Sequence, residues 1–266
     1  MTLIDVQNQL DERGITIQRT GITNFQLPFL ISDGKNVQQV VARVRFTVSL
    51  AKNLRGTHMS RLIEILTDYT RVPMKIFDLK RILLDAQELL STDFAAITLA
   101  FKFFVEKSSP VSKKSAPSPV DCEFVAELQR GGRMKFSLGL TVPFTSLCPC
   151  SKEISAFGAH NQRSLCKVRL DFADETKLDD VSIEKFVRLI EMQGSAEIFP
   201  LLKREDEKFV TETAYQNPKF VEDILRDVVL TLRQVKNLSA FAVECENFES
   251  IHSHNAFAAH EEVLTS

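Results

Sequence analysis

The sequence carries no excess of basic charge. Thirty-three Lys and Arg stand against 35 Asp and Glu, for a formal net charge of -2. The basic face needed to follow a phosphate backbone is missing, which sets nucleic-acid binding aside. Long apolar runs are missing too, since no stretch approaches the ~20 residues of a membrane span. The opening Met-Thr-Leu-Ile-Asp-Val-Gln has no basic segment followed by an apolar one. A soluble, cytoplasmic protein without a membrane partner is expected. Cysteine is scarce and odd in number: the five at Cys122, Cys148, Cys150, Cys166 and Cys245 follow no framework spacing, which fits a reducing compartment better than disulfides. Cys166 and Cys245 lie in strand-like runs and read as small buried hydrophobes.

The chemistry that is present gathers in one loop. Residues 146–163 read Ser-Leu-Cys-Pro-Cys-Ser-Lys-Glu-Ile-Ser-Ala-Phe-Gly-Ala-His-Asn-Gln-Arg and hold two of the five cysteines and one of the five histidines. Thiolate and imidazole are the side chains that best hold zinc or another borderline divalent ion. One residue separates Cys148 from Cys150, a weaker pattern than the paired CxxC framework of a closed structural site. An open, catalytic site is therefore the better expectation, against the plainer reading of a proline turn with one buried thiol. The remaining histidines are His58, His252, His254 and His260. In Glu249-Ser250-Ile251-His252-Ser253-His254, two histidines spaced two apart point the same way if the segment is extended. The plainer alternative there is a polar C-terminal tail.

Alternating apolar residues mark strands at 42–50, 95–105, 122–128, 136–142, 166–172 and 241–245. Arg130-Gly131-Gly132-Arg133 turns a hairpin between two of them. Helical stripes run from Thr57 through Leu66 and from Phe77 to Leu90. A third helix is capped by Ser182 and ends near Gly194. Asn217-Pro218 reads as cap and first position of the last helix, with Val221, Ile224, Leu225, Val228 and Leu232 along its apolar face. Residues 1–35 read as a loosely attached arm with one strand and a turn at Asp33-Gly34. Residues 107–119, rich in Ser, Lys and Pro, read as a mobile loop or linker. The class is α+β, with antiparallel strands and helices on one face. The halves are expected at 1–106 and 120–266, the second carrying most of the metal site. A sheet with one covered face calls for oligomerisation.

The segments Cys148-Pro149-Cys150-Ser151-Lys152-Glu153-Ile154-Ser155, Gly158-Ala159-His160-Asn161-Gln162-Arg163, Gly56-Thr57-His58-Met59-Ser60-Arg61 and Glu246-Asn247-Phe248-Glu249-Ser250-Ile251-His252 together resemble the type IB GTP cyclohydrolases, over nearly the whole chain. The resemblance implies a duplicated tunnelling fold assembled as a homotetramer, with sites between subunits. It also implies metal-dependent hydrolysis of GTP at C8 to 7,8-dihydroneopterin triphosphate and formate, the first step of folate-type pterin synthesis. By the same resemblance Cys148, His160 and His252 are metal ligands, joined by an acidic residue of 205–207. Glu207 is chosen over Glu205 and Asp206. Composition alone reads that stretch as a solvated charge run. Zinc, manganese and iron are all admissible for such mixed ligands. Cys150 is implied as a secondary ligand or redox-sensitive neighbour, and His254 as a proton carrier. Glu222 matches the glutamate that pairs with the amidine edge of guanine, where a carboxylate accepts two parallel N–H bonds. Its plainer role is an acidic residue favoured at a helix N-terminus. His58, Arg61, Lys152 and Arg163 are the basic residues of the matched segments available to the triphosphate. Two rivals stand beside this reading: another tunnelling-fold enzyme, such as a nitrile reductase with a nucleophilic cysteine, and a non-catalytic zinc-stabilised assembly module.

Overall fold

The computed structural model describes residues 5–32 and 37–264. The expected turn at Asp33-Gly34 lies outside the described residues. The chain divides into two compact units, the first made of Met1–Lys102, Glu123–Ser137 and Asp174–Val181, the second of Phe103–Cys122, Leu138–Ala173 and Ser182–Ser266. These are not the sequential halves expected from the pattern. Three long strands, β4 (Phe94–Ser108), β5 (Ser115–Gln129) and β6 (Lys135–Leu147), each contribute residues to both. Among the described residues no helix is long and apolar enough to cross a membrane.

In the first unit the strand order is β3-β1-β2-β4-β5-β6, with β1 (Ile17–Ser32), β2 (Val37–Leu50) and the short β3 (Pro73–Met74). β2 is antiparallel to β1 and to β4, with Phe46 opposite Ile22 on one side and Ile97 on the other. Alternation sets its inward face: Val40, Ala42, Val44, Phe46, Val48 and Leu50 are buried, while Arg43 and Arg45 are exposed. A Cβ at Gly21 would lie 2.0 Å from the Phe46 carbonyl oxygen, so only glycine lets β1 approach there. Two helices, α1 (Met59–Tyr69) and α2 (Asp78–Leu89), bury Leu62, Ile65, Leu66, Leu79, Ile82, Leu83 and Ala86.

In the second unit the order is β10-β9-β7-β6-β5-β4, with β7 (Asn161–Phe172), β9 (Leu238–Asn247) and β10 (Ala256–Val263) antiparallel in turn. The short β8 (Ala196–Glu197) pairs with β6. α3 (Pro149–Ile154), α4 (Ile183–Glu191), α5 (Arg204–Gln216) and α6 (Val221–Arg233) complete it. Ser182 caps α4 as expected, its hydroxyl accepting from the Lys185 N–H at 3.3 Å. Cys166 and Cys245 face each other across β7 and β9, both buried, with sulfurs 3.6 Å apart. All five cysteines are free.

Two expectations change. Residues 107–119 are not a structureless linker: they end β4, turn, and begin β5. Lys107 is 4% exposed and ion-paired to Glu191 at 2.6 Å and Glu197 at 3.1 Å. Asn217 does not cap the last helix. It closes α5, its side-chain amide donating to the Gly194 and Ser195 carbonyls, and α6 starts at Val221. Past the segment 249–254, β10 adds a further strand beside β9.

Candidate active site

The loop after β6 is closed by its own hydrogen bonds. Pro149 starts α3, where its missing N–H costs nothing, and the Cys148 sulfur accepts from the Ser151 N–H at 3.5 Å. The Cys148 N–H donates to the His160 carbonyl at 3.1 Å. Ser151 Oγ accepts from the His160 N–H at 3.2 Å and donates to the Cys148 carbonyl at 3.2 Å. Together these bonds hold Cys148 and His160 side by side at the two ends of the loop. Cys150 lies between them, exposed.

A second loop, between β9 and β10, comes to the same place. The Phe248 N–H donates to the Arg163 carbonyl at 3.0 Å, and the Glu249 N–H turns back to the Asn247 carbonyl at 3.0 Å. Glu249 Oε2 thereby stands 3.8 Å from His160 Nδ1, both side chains largely buried. The His252 ring centroid is 6.4 Å from that of His160, and His254 stacks on His252 at 5.3 Å. Both outer histidines are exposed. The structure therefore sets Cys148 beside His160, His252 near His160 and His254 on His252, and adds Glu249 beside His160, a residue the sequence pattern does not single out. The available signal was its position beside His252.

Among the described residues no three His, Cys, Asp or Glu side chains converge closely enough to hold an ion as they stand. Glu207 is exposed in the first turn of α5. It shares a helical row with Val210 and Ala214, which pack against Leu147, Ala159 and Ala196 at the base of the loop. Asp206 is committed elsewhere. It is fully buried and accepts from the Val111 and Ser112 N–H groups, Ser112 Oγ and the Lys203 N–H, all within 2.8 Å. Burial alone would raise its carboxyl, but these donors outweigh burial and hold it well below the usual carboxylate range.

Glu222 is exposed in the first turn of α6, in a helical row with the half-buried Leu225 and the buried Val229. Its neighbour Asp223 takes the capping role, accepting from the Phe220 N–H at 3.1 Å. Lys152 is spent on α5, donating to the Tyr215 carbonyl at 2.6 Å with its ammonium 4.4 Å from that ring. Arg163 is exposed on β7. In the first unit, His58 and Arg61 line a recess of about 840 Å³ together with Lys52, Thr57 and Asp93. Thr57 Oγ1 and His58 Nε2 are buried there without a hydrogen bond. Arg61 reaches the Leu89 carbonyl at 3.0 Å with one nitrogen.

Residues 3–258 match the family described as Type I GTP cyclohydrolase folE2. The chain is 44% identical over 259 residues to a GTP cyclohydrolase FolE2 of Citrifermentans bemidjiense, covering 97% of this chain and 94% of that one. It is 43% identical over 257 residues to one of Fervidobacterium nodosum, covering 96% of each. Among solved structures it resembles a uricase of Arthrobacter globiformis, with a TM-score of 0.51 at 10% identity over 93% of both chains. It also resembles urate oxidase of Bacillus subtilis 168, with a TM-score of 0.52 at 10% identity over 92% of this chain and 98% of that one. At that identity the likeness speaks for the fold alone, an α+β architecture on a large antiparallel sheet. With the family match spanning nearly the whole chain, this protein belongs to the type I GTP cyclohydrolases of the FolE2 kind.

Proposed function

We propose that this chain hydrolyses GTP at C8 of the guanine, releasing formate and leaving 7,8-dihydroneopterin triphosphate, at a metal-dependent site shared between subunits of a homotetramer of duplicated tunnelling units. The observation that carries the reading is the placement of Cys148 and His160 at the two ends of one loop, with the His252 ring of the adjoining loop 6.4 Å from that of His160, in a chain 44% identical to GTP cyclohydrolases. Their mixed sulfur and nitrogen donors, with a carboxylate at hand, fit a borderline divalent ion such as zinc, manganese or iron. Cys148, His160, His252 and Glu207 would hold it. When bound, such an ion lowers the pKa of water towards ~7 and so makes hydroxide available at neutral pH.

The chain's own residues do the rest. Glu222, exposed in the first turn of α6, accepts the guanine N1–H and N2–H in a paired bond that bases lacking those donors cannot make. His254, exposed beside His252, carries a proton to the leaving nitrogen as the C–N bond at C8 breaks. The thiol of Cys150 is exposed on the same loop and serves as a second acid or an accessory ligand. Basic side chains among His58, Arg61 and Arg163 take the triphosphate. Because the sites are read as lying between subunits, base and phosphate need not be held by the same copy.

Incubation with GTP and each of several divalent metals tests this directly. Formate and the fluorescence of the oxidised pterin are expected with at least one metal and lost on chelation. Absence of product with every metal overturns the reading, and activity untouched by complete metal removal favours a cysteine-nucleophile enzyme instead.

A further inference from the structure

At its loop end the core of the second unit turns polar. Ser146 and Ser164 are fully buried and Gln162 is 7% exposed, on strands whose other inward residues include Val142, Phe144, Cys166 and Val168. Polar groups persist in such a core with their hydrogen bonds made. Gln162 Nε2 donates to Ser146 Oγ at 2.8 Å, and Ser164 Oγ donates to the same oxygen at 2.9 Å. With its amide nitrogen committed, Gln162 turns Oε1 towards His160 Nδ1 at 2.9 Å. A carbonyl oxygen only accepts, so the ring nitrogen facing it carries the proton. The other group near Nδ1, Glu249 Oε2 at 3.8 Å, is also an acceptor and lies beyond hydrogen-bond reach.

We propose that Gln162 is a positioning residue that fixes His160 as the Nδ1–H tautomer and so presents the Nε2 lone pair to the site. The inference rests on the reading of His160 as a metal ligand for its consequence, though not for its geometry. Histidines that bind a metal through one nitrogen generally donate from the other to a fixed acceptor, which sets tautomer and ring orientation. Here a side-chain amide fills that place, and its own orientation is set from the core by Ser146. The local sequence follows from that requirement: on β7 the inward positions nearest the loop are Gln162 and Ser164, and apolar residues begin only at Cys166.

The test uses the full-length protein labelled with nitrogen-15 at histidine, with metal removed and at a pH where imidazole is neutral. Long-range proton–nitrogen correlation, assigned with a His160→Gln variant, is expected to show the Nδ1–H tautomer at His160. Gln162→Met keeps the length but offers no acceptor, and is expected to shift His160 to the Nε2–H form and weaken zinc or manganese binding by about 10–100-fold. Gln162→Glu restores an acceptor and is expected to restore both readouts in large part. Ser164→Ala, which keeps the Gln162 to Ser146 bond, controls for core damage: it lowers the unfolding midpoint with tautomer and metal affinity retained. An Nε2–H tautomer in the wild type overturns the proposal, as does a Gln162→Met protein that is folded and unchanged in tautomer. A wild type with the Nδ1–H tautomer that takes up no ion supports the positioning and overturns the metal reading instead.

Discussion

Glu191 carries a carboxyl only 4% exposed, against Lys107 at 2.6 Å and with the Glu197 carboxylate nearby. Burial pushes it up to about 7 from an ordinary 4.5, the Lys107 ammonium opposing and Glu197 adding to the rise. An acid raised on folding binds its proton more tightly in the native state, so its contribution is present at low pH and lost as pH rises through the folded value. Stability should fall between about 4.5 and about 7, by of order 3 kcal/mol for this group alone. Glu191→Gln keeps the shape, leaves Lys107 its Glu197 partner, and should flatten that slope in denaturant unfolding followed across the window. An equal slope in both proteins refutes the assignment. At this scale legibility tracks chemistry. Cys148, His160 and His252 stand out in the sequence because few other jobs gather thiols and imidazoles in polar loops. Glu249 and Gln162 do not, since carboxylates and amides are common on any surface and only their place beside His160 marks them. Lys107 reads as part of a polar run because its two glutamates lie far along the chain.

The elements that escaped the sequence are those held by polar contacts. α5 buries only Asp206 and Ala214, so its first turn looks like solvated charge. What fixes it is Asp206, whose oxygens cap the helix at the Lys203 N–H and hold the turn between β4 and β5 at Val111 and Ser112. That turn also closes on itself, the Ser109 N–H donating to the Lys114 carbonyl at 2.9 Å. Composition hides the strand that follows, since Pro117 and Pro119 suggest a linker. Their spacing of two puts both missing donors on one edge of β5 and leaves the other edge intact. By contrast β2, α2 and α4 announce themselves through apolar period and a Ser cap. Asp206→Ala strands three backbone donors and a hydroxyl, and is expected to cost about 3 kcal/mol or more. Glu205→Ala, one residue away and exposed, is expected to cost under about 0.5 kcal/mol. Equal unfolding midpoints for the two variants would show that Asp206 does not anchor α5.

At the scale of the whole chain, the α+β class was readable from alternating strands and grouped helices, whereas the compact units were not. No local pattern says that β4, β5 and β6 are long enough to serve two cores. The urate oxidase likeness at 10% identity makes the same point, because a shared fold leaves little trace in residue identity. How the chain is held together also bears on what metal removal does. Both units are built on apolar residues between 0% and 7% exposed, and the loop from Cys148 to His160 is closed by backbone and serine hydrogen bonds. A chain of 266 residues with such a core is expected to fold without an ion, unlike small modules whose metal supplies the folding energy. Chelation is therefore expected to abolish formate release while moving the thermal midpoint by less than about 3 °C, with the molecular size in solution unchanged. Cys148→Ala should behave in the same way, losing turnover by about 100-fold or more with the fold kept. Calorimetry and light scattering on the stripped wild type and on the variant decide the matter. If both unfold or fall apart on losing the ion, the site is a structural staple and the zinc-stabilised assembly module becomes the better reading of its cysteines and histidines.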